Sequence, residues 1–421
     1  MSPVPAAHLA TWSITAIAVA GVIARPWRIP EAVWALGGAG LLVAAGLLPW
    51  HDAAIAVGEG FDVYLFLAGM MLLSELARRE GLFDYLAAHA VRLARGSPRK
   101  LFLLTYAIGT LVTIFMSNDA TAVVLTPAVY AAARKARADT LPYLFACAFI
   151  ANAASFVLPI SNPANLVIFG RHMPPLLQWL GQFALPSALA IAVTYAVHRW
   201  LERGHLRASI DSDIAIPFLT RSGAIIGYGI AFVAMALLLA SFLGLPLGWA
   251  TLLATGVVAT IALSVKREAP WQTLRHVSWG VLLLVAGLFV LVQGLQYTGV
   301  VPRLAELLQS GATASPAATA WSAGIAIALA CNLVNNLPMG LIAGSAVNAV
   351  QVDPLIRGAI TIAVDVGPNL SVTGSLATIL WLTAIRREGE EVSAWHFLRL
   401  GALVMPAALL AALAALWLTQ A

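Results

Sequence analysis

Apolar runs of about 20 residues follow one another along almost the whole of this chain, and a helix needs about that length to cross a bilayer. The chain has 421 residues, of which 10% are charged and 61% hydrophobic, with a mean hydropathy of +0.88. A soluble domain would carry about 25% charged residues. The fold class expected is an all-α polytopic membrane protein lying in the lipid bilayer. The longest polar interval, His198–Arg221, is too short to enclose a core. Ala7–Ala24 precedes the first basic residue, Arg25, and reads as a retained span and not as a cleaved signal peptide.

Net charge is +5, but the basic residues sit in short loops between apolar runs, so they set topology and no nucleic acid is implied. With the N-terminus outside, 21 of the 24 Lys and Arg fall on the cytoplasmic side, leaving only Arg171, Arg303 and Arg357 opposite. Both termini are therefore expected outside. Full spans are expected near 7–24, 31–50, 61–79, 140–170 and 181–200, then near 222–243, 246–265, 277–298, 353–386 and 395–420. Two further apolar pairs, 100–135 and 315–350, are each broken by a polar stretch at mid-length. Their arms are slightly short for a full crossing, which favours re-entrant helical hairpins over two tilted spans.

An internal repeat organises these segments. Phe61-Asp62-Val63, Ala68-Gly69 and Gly81-Leu82 align without gaps on Trp279-Gly280-Val281, Ala286-Gly287 and Gly299-Val300. Each half would hold five spans, one hairpin and a broken helix. Because five is odd, the second half would be inverted relative to the first. The repeats are expected at 1–200 and 222–421, joined by a short cytoplasmic linker, 201–221. Amphipathic arms at Leu82–Ala94 and Val301–Gln309 suit the membrane interfaces. Inverted repeats with discontinuous helices place a substrate at their interface, near the bilayer midplane.

The polar breaks carry the chemistry. One hairpin turns at Ser117-Asn118-Asp119 and the other at Asn335-Asn336-Leu337-Pro338. The span at 140–170 is interrupted by Ala151-Asn152-Ala153-Ala154-Ser155 and then by Pro159, Ser161, Asn162, Pro163 and Asn165, and that at 353–386 by Asp365, Gly367, Pro368, Asn369, Ser371, Thr373, Gly374 and Ser375. Proline lacks an N–H and crowds the preceding turn, so neither span can be one regular helix. Taken singly, each Asn or Ser could be a helix cap or interhelical glue. Packing alone does not require polar breaks at matched positions in both halves.

Ser117-Asn118-Asp119, Asn335-Asn336-Leu337-Pro338 and Asp365-Val366-Gly367-Pro368 with Gly374-Ser375-Leu376-Ala377-Thr378 resemble the bacterial arsenite efflux permeases, ArsB, of the ion transporter superfamily. The likeness runs over nearly the whole chain and is most specific in 365–378. It implies a multi-pass protein of the bacterial inner membrane that exports arsenite and antimonite in exchange for protons. An ArsA-type ATPase is the partner such a permease can engage, although the short central loop offers it little to grip.

The residue chemistry agrees with that implication. Trivalent arsenic at neutral pH is the uncharged As(OH)3, and antimony is carried likewise as Sb(OH)3. Asn118, Asn162, Asn165, Asn335 and Asn336 offer amide donors and acceptors to its hydroxyls, and Ser117, Ser161, Thr373 and Ser375 add hydroxyls. No Lys or Arg lies near the breaks, which disfavours the alternative, a carboxylate or sodium-coupled carrier of the same superfamily. Asp119 and Asp365 are the acids embedded there and the candidates for proton coupling; for Asp119 the competing reading is an N-cap. Cys147 and Cys331 read as packing residues, and no cofactor, metal set or HExxH signature of an enzyme is present.

Overall fold

In a computed structural model, residues 5–170, 173–350 and 352–420 are described, and among them there is no β-strand. Arg171 therefore lies outside the described residues. Ten helices fill the first half: α1 (Ala6–Ala24), α2 (Glu31–Ala44), α3 (Trp50–Glu59), α4 (Phe61–Arg79), α5 (Leu82–Ala94), α6 (Pro98–Phe115), α7 (118–135), α8 (Leu141–Ala153), α9 (Pro163–Phe169) and α10 (Leu176–Leu201). Within α7 the residues Thr121–Leu125 form a π turn. The second half runs α11 (Arg221–Phe242), α12 (Leu247–Lys266), α13 (Pro270–Leu274), α14 (Gly280–Tyr297), α15 (Val300–Ala314), α16 (Pro316–Val334), α17 (Asn336–Ala349), α18 (Pro354–Val366), α19 (Leu376–Arg387) and α20 (Ala394–Gln420). The second half, like the first, thus contributes ten helices among the described residues.

Among the described residues eight helices are long and apolar enough to cross a membrane, or nine if α3 and α4, bent by 48° at Gly60, form one span; the eight include the hairpin arms α6 and α16, which were expected to be slightly short. Fewer long helices appear than the ten spans expected, for local reasons. The run at 31–50 stops at Ala44, where Gly46 takes φ +68° and Pro49 follows. The runs at 140–170 and 353–386 divide at their prolines into α8 with α9 and α18 with α19. The short α3 and α13 were not foreseen.

The repeated Ala-Gly pairs mark helix crossings. A Cβ on Gly69 of α4 would come within 2.8 Å of Thr251 Cγ2 on α12, and one on Gly287 of α14 within 2.8 Å of the Ala35 backbone on α2. Without side chains at these points the helix backbones approach closely, which is how membrane helices gain packing energy. Each half therefore lends its fourth helix to the second helix of the other. One apolar core joins α1–α8 with α11, α12 and α14, and a second joins α9, α10, α16–α18 and α20. The linker crosses the ends of the first hairpin, where Ile210 N donates to Gly96 O (3.1 Å) and Asp211 N to Ala136 O (2.8 Å).

Candidate functional site

Helices α8 and α18 are each 13 residues long, and the breaks after them bring the polar side chains together. Their penultimate residues are Asn152 and Asp365, both fully buried. Across each break the next helix begins with a side-chain cap: Asn162 Oδ1 accepts from Ala164 N (3.0 Å) and Ser375 Oγ from Thr378 N (3.0 Å).

The two broken helices exchange partners. Asp365 Oδ1 accepts from the Ser155 hydroxyl at 2.7 Å and from the Asn162 amide. Asn152 Nδ2 donates to Asn369 Oδ1 (3.0 Å) and Thr378 Oγ1 (3.2 Å). Asn165 Nδ2 donates to Ser155 O (2.9 Å), and Asn369 Nδ2 to Phe149 O (3.0 Å). Three buried oxygens of this centre, Asn152 Oδ1, Asn165 Oδ1 and Asp365 Oδ2, have no hydrogen-bond partner. Such groups are costly to bury. No arginine or lysine pairs with Asp365 among the described residues.

The hairpin tips flank this centre. Ser117 (φ 147°, ψ 165°) and Asn335 (φ 75°, ψ 151°) both occupy a backbone region reserved almost entirely for glycine. Each such residue costs about 1–3 kcal/mol, and such strain clusters at functional sites. In the first hairpin the arms are clasped by Thr113 and Thr121, whose hydroxyls lie 2.8 Å apart. Ser117 Oγ accepts from Ala120 N (3.4 Å) and Asn118 Oδ1 from Asp119 N (3.0 Å). The cap of α7 is therefore Ser117. Asp119 sits half-buried in the first turn, at the positive end of the helix dipole. Among the described residues its carboxylate makes no hydrogen bond or ion pair within the protein. The π turn that follows precedes Pro127 and frees Thr121 O, which accepts from the Thr126 hydroxyl at 3.1 Å. Such bulges recur at functional sites.

The second tip is tied down. Asn332 Nδ2 donates to Ala328 O (2.8 Å) and Gly367 O (3.0 Å), while Asn332 Oδ1 accepts from Ser371 N (3.0 Å) and Ser371 Oγ (2.8 Å). Thr373 Oγ1 donates to Asn332 O (2.8 Å), and Asn335 Nδ2 to Thr373 O (3.2 Å). Asn336 is buried without a side-chain hydrogen bond among the described residues.

Of the residues singled out in the sequence, Asn162, Asn165 and Asp365 thus lie in one network through Ser155, and Asn335 meets Thr373. Ser161 Oγ donates to Ile114 O (3.2 Å), fastening the first break to the first hairpin. No hydrogen bond joins Asp119 to Asp365. Asn152, Ser155, Asn369, Ser371 and Thr378 lie in the stretches read from the sequence as breaks or motif but were not singled out as contacts, and Asn332 lay outside those stretches. For Asn332 a signal existed, since it is an amide inside an apolar run, one turn before the Asn335-Asn336 break.

The profile of a family described as "CitMHS: Citrate transporter" matches residues 18–364. An arsenical pump membrane protein of Yersinia enterocolitica is 26% identical over 400 residues, covering 90% of this chain and 91% of the relative. An Escherichia coli protein of the same description is 25% identical over 399 residues, with the same coverage. An uncharacterized transporter of Mycobacterium tuberculosis is 26% identical over 425 residues, covering 96% of this chain and 97% of its own length. Among solved structures, the YdaH transporter of Alcanivorax borkumensis superposes with a TM-score of 0.57 at 15% identity, covering 86% of each chain, and so shares the fold.

Proposed function

The chain belongs to the citrate transporter (CitMHS) family of membrane proteins, and from that premise we propose that it is a secondary active transporter. Its cargo is arsenite, and antimonite likewise, exported as the neutral trihydroxide in exchange for protons. The observation that carries this reading is the composition of the buried centre, which offers amides, hydroxyls and one carboxyl and no side-chain cation. Amides that both donate and accept suit As(OH)3, whose hydroxyls do the same. Relatives described as arsenical pumps favour this cargo. Antimonite follows by the same chemistry.

Asp119 and Asp365 carry the protons. Moving a neutral cargo out against a proton in transfers one positive charge inward. The membrane potential then adds about 2.3 kcal/mol per 100 mV to the pH gradient in favour of export. A protonated carboxyl and a bound cargo alternate when each stabilises a different facing of the carrier. The two halves are related by a pseudo-two-fold axis in the membrane plane, and both termini face outward, in keeping with the side on which lysine and arginine collect.

The family's description as citrate transporters supports a second reading, a carboxylate carrier. The deciding experiment uses inverted vesicles from cells expressing the protein. With the lumen acidified, they accumulate arsenite, and excess citrate does not compete. Uptake of citrate without any of arsenite would reject the proposal. Equilibration of arsenite that ignores the gradient would make the protein a channel.

A further inference from the structure

A second buried titratable group lies close to the centre and has no part in the exchange as described. The sequence reading put His198 at the start of the polar loop, yet it is fully buried in the last turn of α10. Four aromatic rings enclose the imidazole. Phe102 and Phe149 lie 5.1 Å away, Tyr106 6.0 Å and Phe145 6.4 Å, centroid to centroid. Nδ1 is 2.8 Å from the Tyr106 hydroxyl. Among the described residues Nε2 has no hydrogen-bond partner, and it lies 3.9 Å from Oε1 of Glu202. An imidazole kept only for packing would leave neither nitrogen unpaired.

Outward, Glu202 is itself only 8% exposed. Beyond it His205 and Asp139 pair at 2.7 Å with side chains 58% and 42% exposed, and that hydrogen bond holds the His205 imidazole above its usual range. These groups lie on the arginine-rich face, with Arg199, Arg203 and Arg207 close in sequence. The other titratable neighbours offer no competing charge inside the box. Tyr195 accepts from Arg199 at 3.0 Å in an exposed position, Cys147 is a buried thiol near Tyr106, and the His396 ring lies tilted 5.2 Å from Phe145. Inward, Phe149 touches both the imidazole and the centre. Its ring stands at 85° to His198, and its carbonyl accepts from Asn369, which is bonded in turn to Asn152.

We propose that Glu202, His198 and Tyr106 form a proton-access port between the arginine-rich face and the transport centre, with Phe149 as its plug. This rests on the proton-exchange reading above. In the direction the exchange needs, the Tyr106 hydroxyl gives its proton to Nδ1 while its oxygen takes one released from the centre, leaving an imidazolium. The imidazolium loses the Nε2 proton to the Glu202 carboxylate, which passes it to the arginine-rich face. The ring is then neutral again with its tautomer reversed, and a rotation about its side chain resets it. Nothing is oxidised, and one proton has moved from the centre to that face.

The test uses purified full-length protein in pyranine-loaded vesicles, with potassium and valinomycin holding the potential at zero and no arsenite present. Phe149→Ala opens a proton leak, and adding Glu202→Gln or His198→Gln slows that leak by about tenfold or more. Tyr106→Phe keeps the packing, removes the inner hydroxyl, and slows it as well. A leak that ignores these second substitutions overturns the port, as does the absence of any leak in folded Phe149→Ala protein. Should Phe149→Ala not fold, Glu202→Gln and Tyr106→Phe alone are measured by arsenite accumulation against external pH. The port shifts that profile, whereas a merely structural role lowers stability and leaves the profile in place, overturning it. If the leak behaves as expected but wild-type arsenite uptake ignores the pH gradient, the antiport reading fails and the port stands. The reverse pattern fails the port alone.

Discussion

The two hairpins turn in equivalent ways, with a non-glycine residue in a glycine-like conformation at each tip, but they spend their polar groups differently. At the second tip Asn332, Asn335, Ser371 and Thr373 are consumed in fastening the hairpin to the broken helix beside it. At the first tip, among the described residues, Ser117 and Asn118 bond only their own turn, and the Asp119 carboxylate has no protein partner. One tip is built to hold still. The other leaves the Asp119 carboxyl without a hydrogen bond among the described residues. Under the transport reading proposed above, this contrast favours cargo contact at the first hairpin beside the buried centre, and a more firmly held second tip.

The harshest way to break this contrast is to neutralise the acid. Asp119→Asn mimics the protonated carboxyl permanently, so gradient-driven accumulation of arsenite in inverted vesicles falls to background, while downhill exchange persists. Accumulation at the wild-type level would remove Asp119 from the proton path. Next comes Asn118→Ala at the same tip. A hydrogen bond lost in a dry site costs about 1–3 kcal/mol, or roughly 5- to 150-fold in affinity. Arsenite competition measured on membranes with equal protein content reads this directly. Unchanged affinity would mean that cargo does not rest on the first tip.

The second tip answers differently. Asn332→Ala leaves Ser371 N and Gly367 O without their partner, at about 1–3 kcal/mol for each buried group. The purified protein unfolds at a lower temperature, and the arsenite affinity of the folded fraction changes less than in Asn118→Ala. A large affinity loss with no thermal shift would show that both tips bind cargo, and the contrast would collapse.

How much of this was legible follows from what controls each feature. The hairpins and broken helices were visible because proline and clustered Asn and Ser cannot continue an apolar helix, and that is local chemistry. Two close crossings were visible as Ala-Gly pairs, since Gly69 and Gly287 each let a neighbouring helix come near. Partner choice was hidden. Asn152 and Asp365 hold the same position in their helices, yet nothing local says that one reaches Thr378 and the other Asn162. Asn332 was missed because it lies within an apolar arm, one turn before the break, where a lone amide looks like interhelical glue. His198 was misplaced because the loop's polar residues begin beside it, whereas α10 continues to Leu201 and turns it inward.

The smallest effect expected lies outside both tips and limits what either can use. A carrier that gripped arsenic(III) through sulfur would need several thiols converging on one ion. Cys147 and Cys331 are free, fully buried and lodged in separate apolar cores, so they do not meet. Three thiolates would also hold the ion too tightly for rapid release. Replacing both with alanine removes small apolar groups, at about 1 kcal/mol or less for each, since about 0.8 kcal/mol attaches to one buried methylene. The double variant should therefore accumulate arsenite as the wild type does, with a slightly lower unfolding temperature. Abolished transport in a folded double variant would hand the binding chemistry to sulfur and take it away from the amides of the first hairpin.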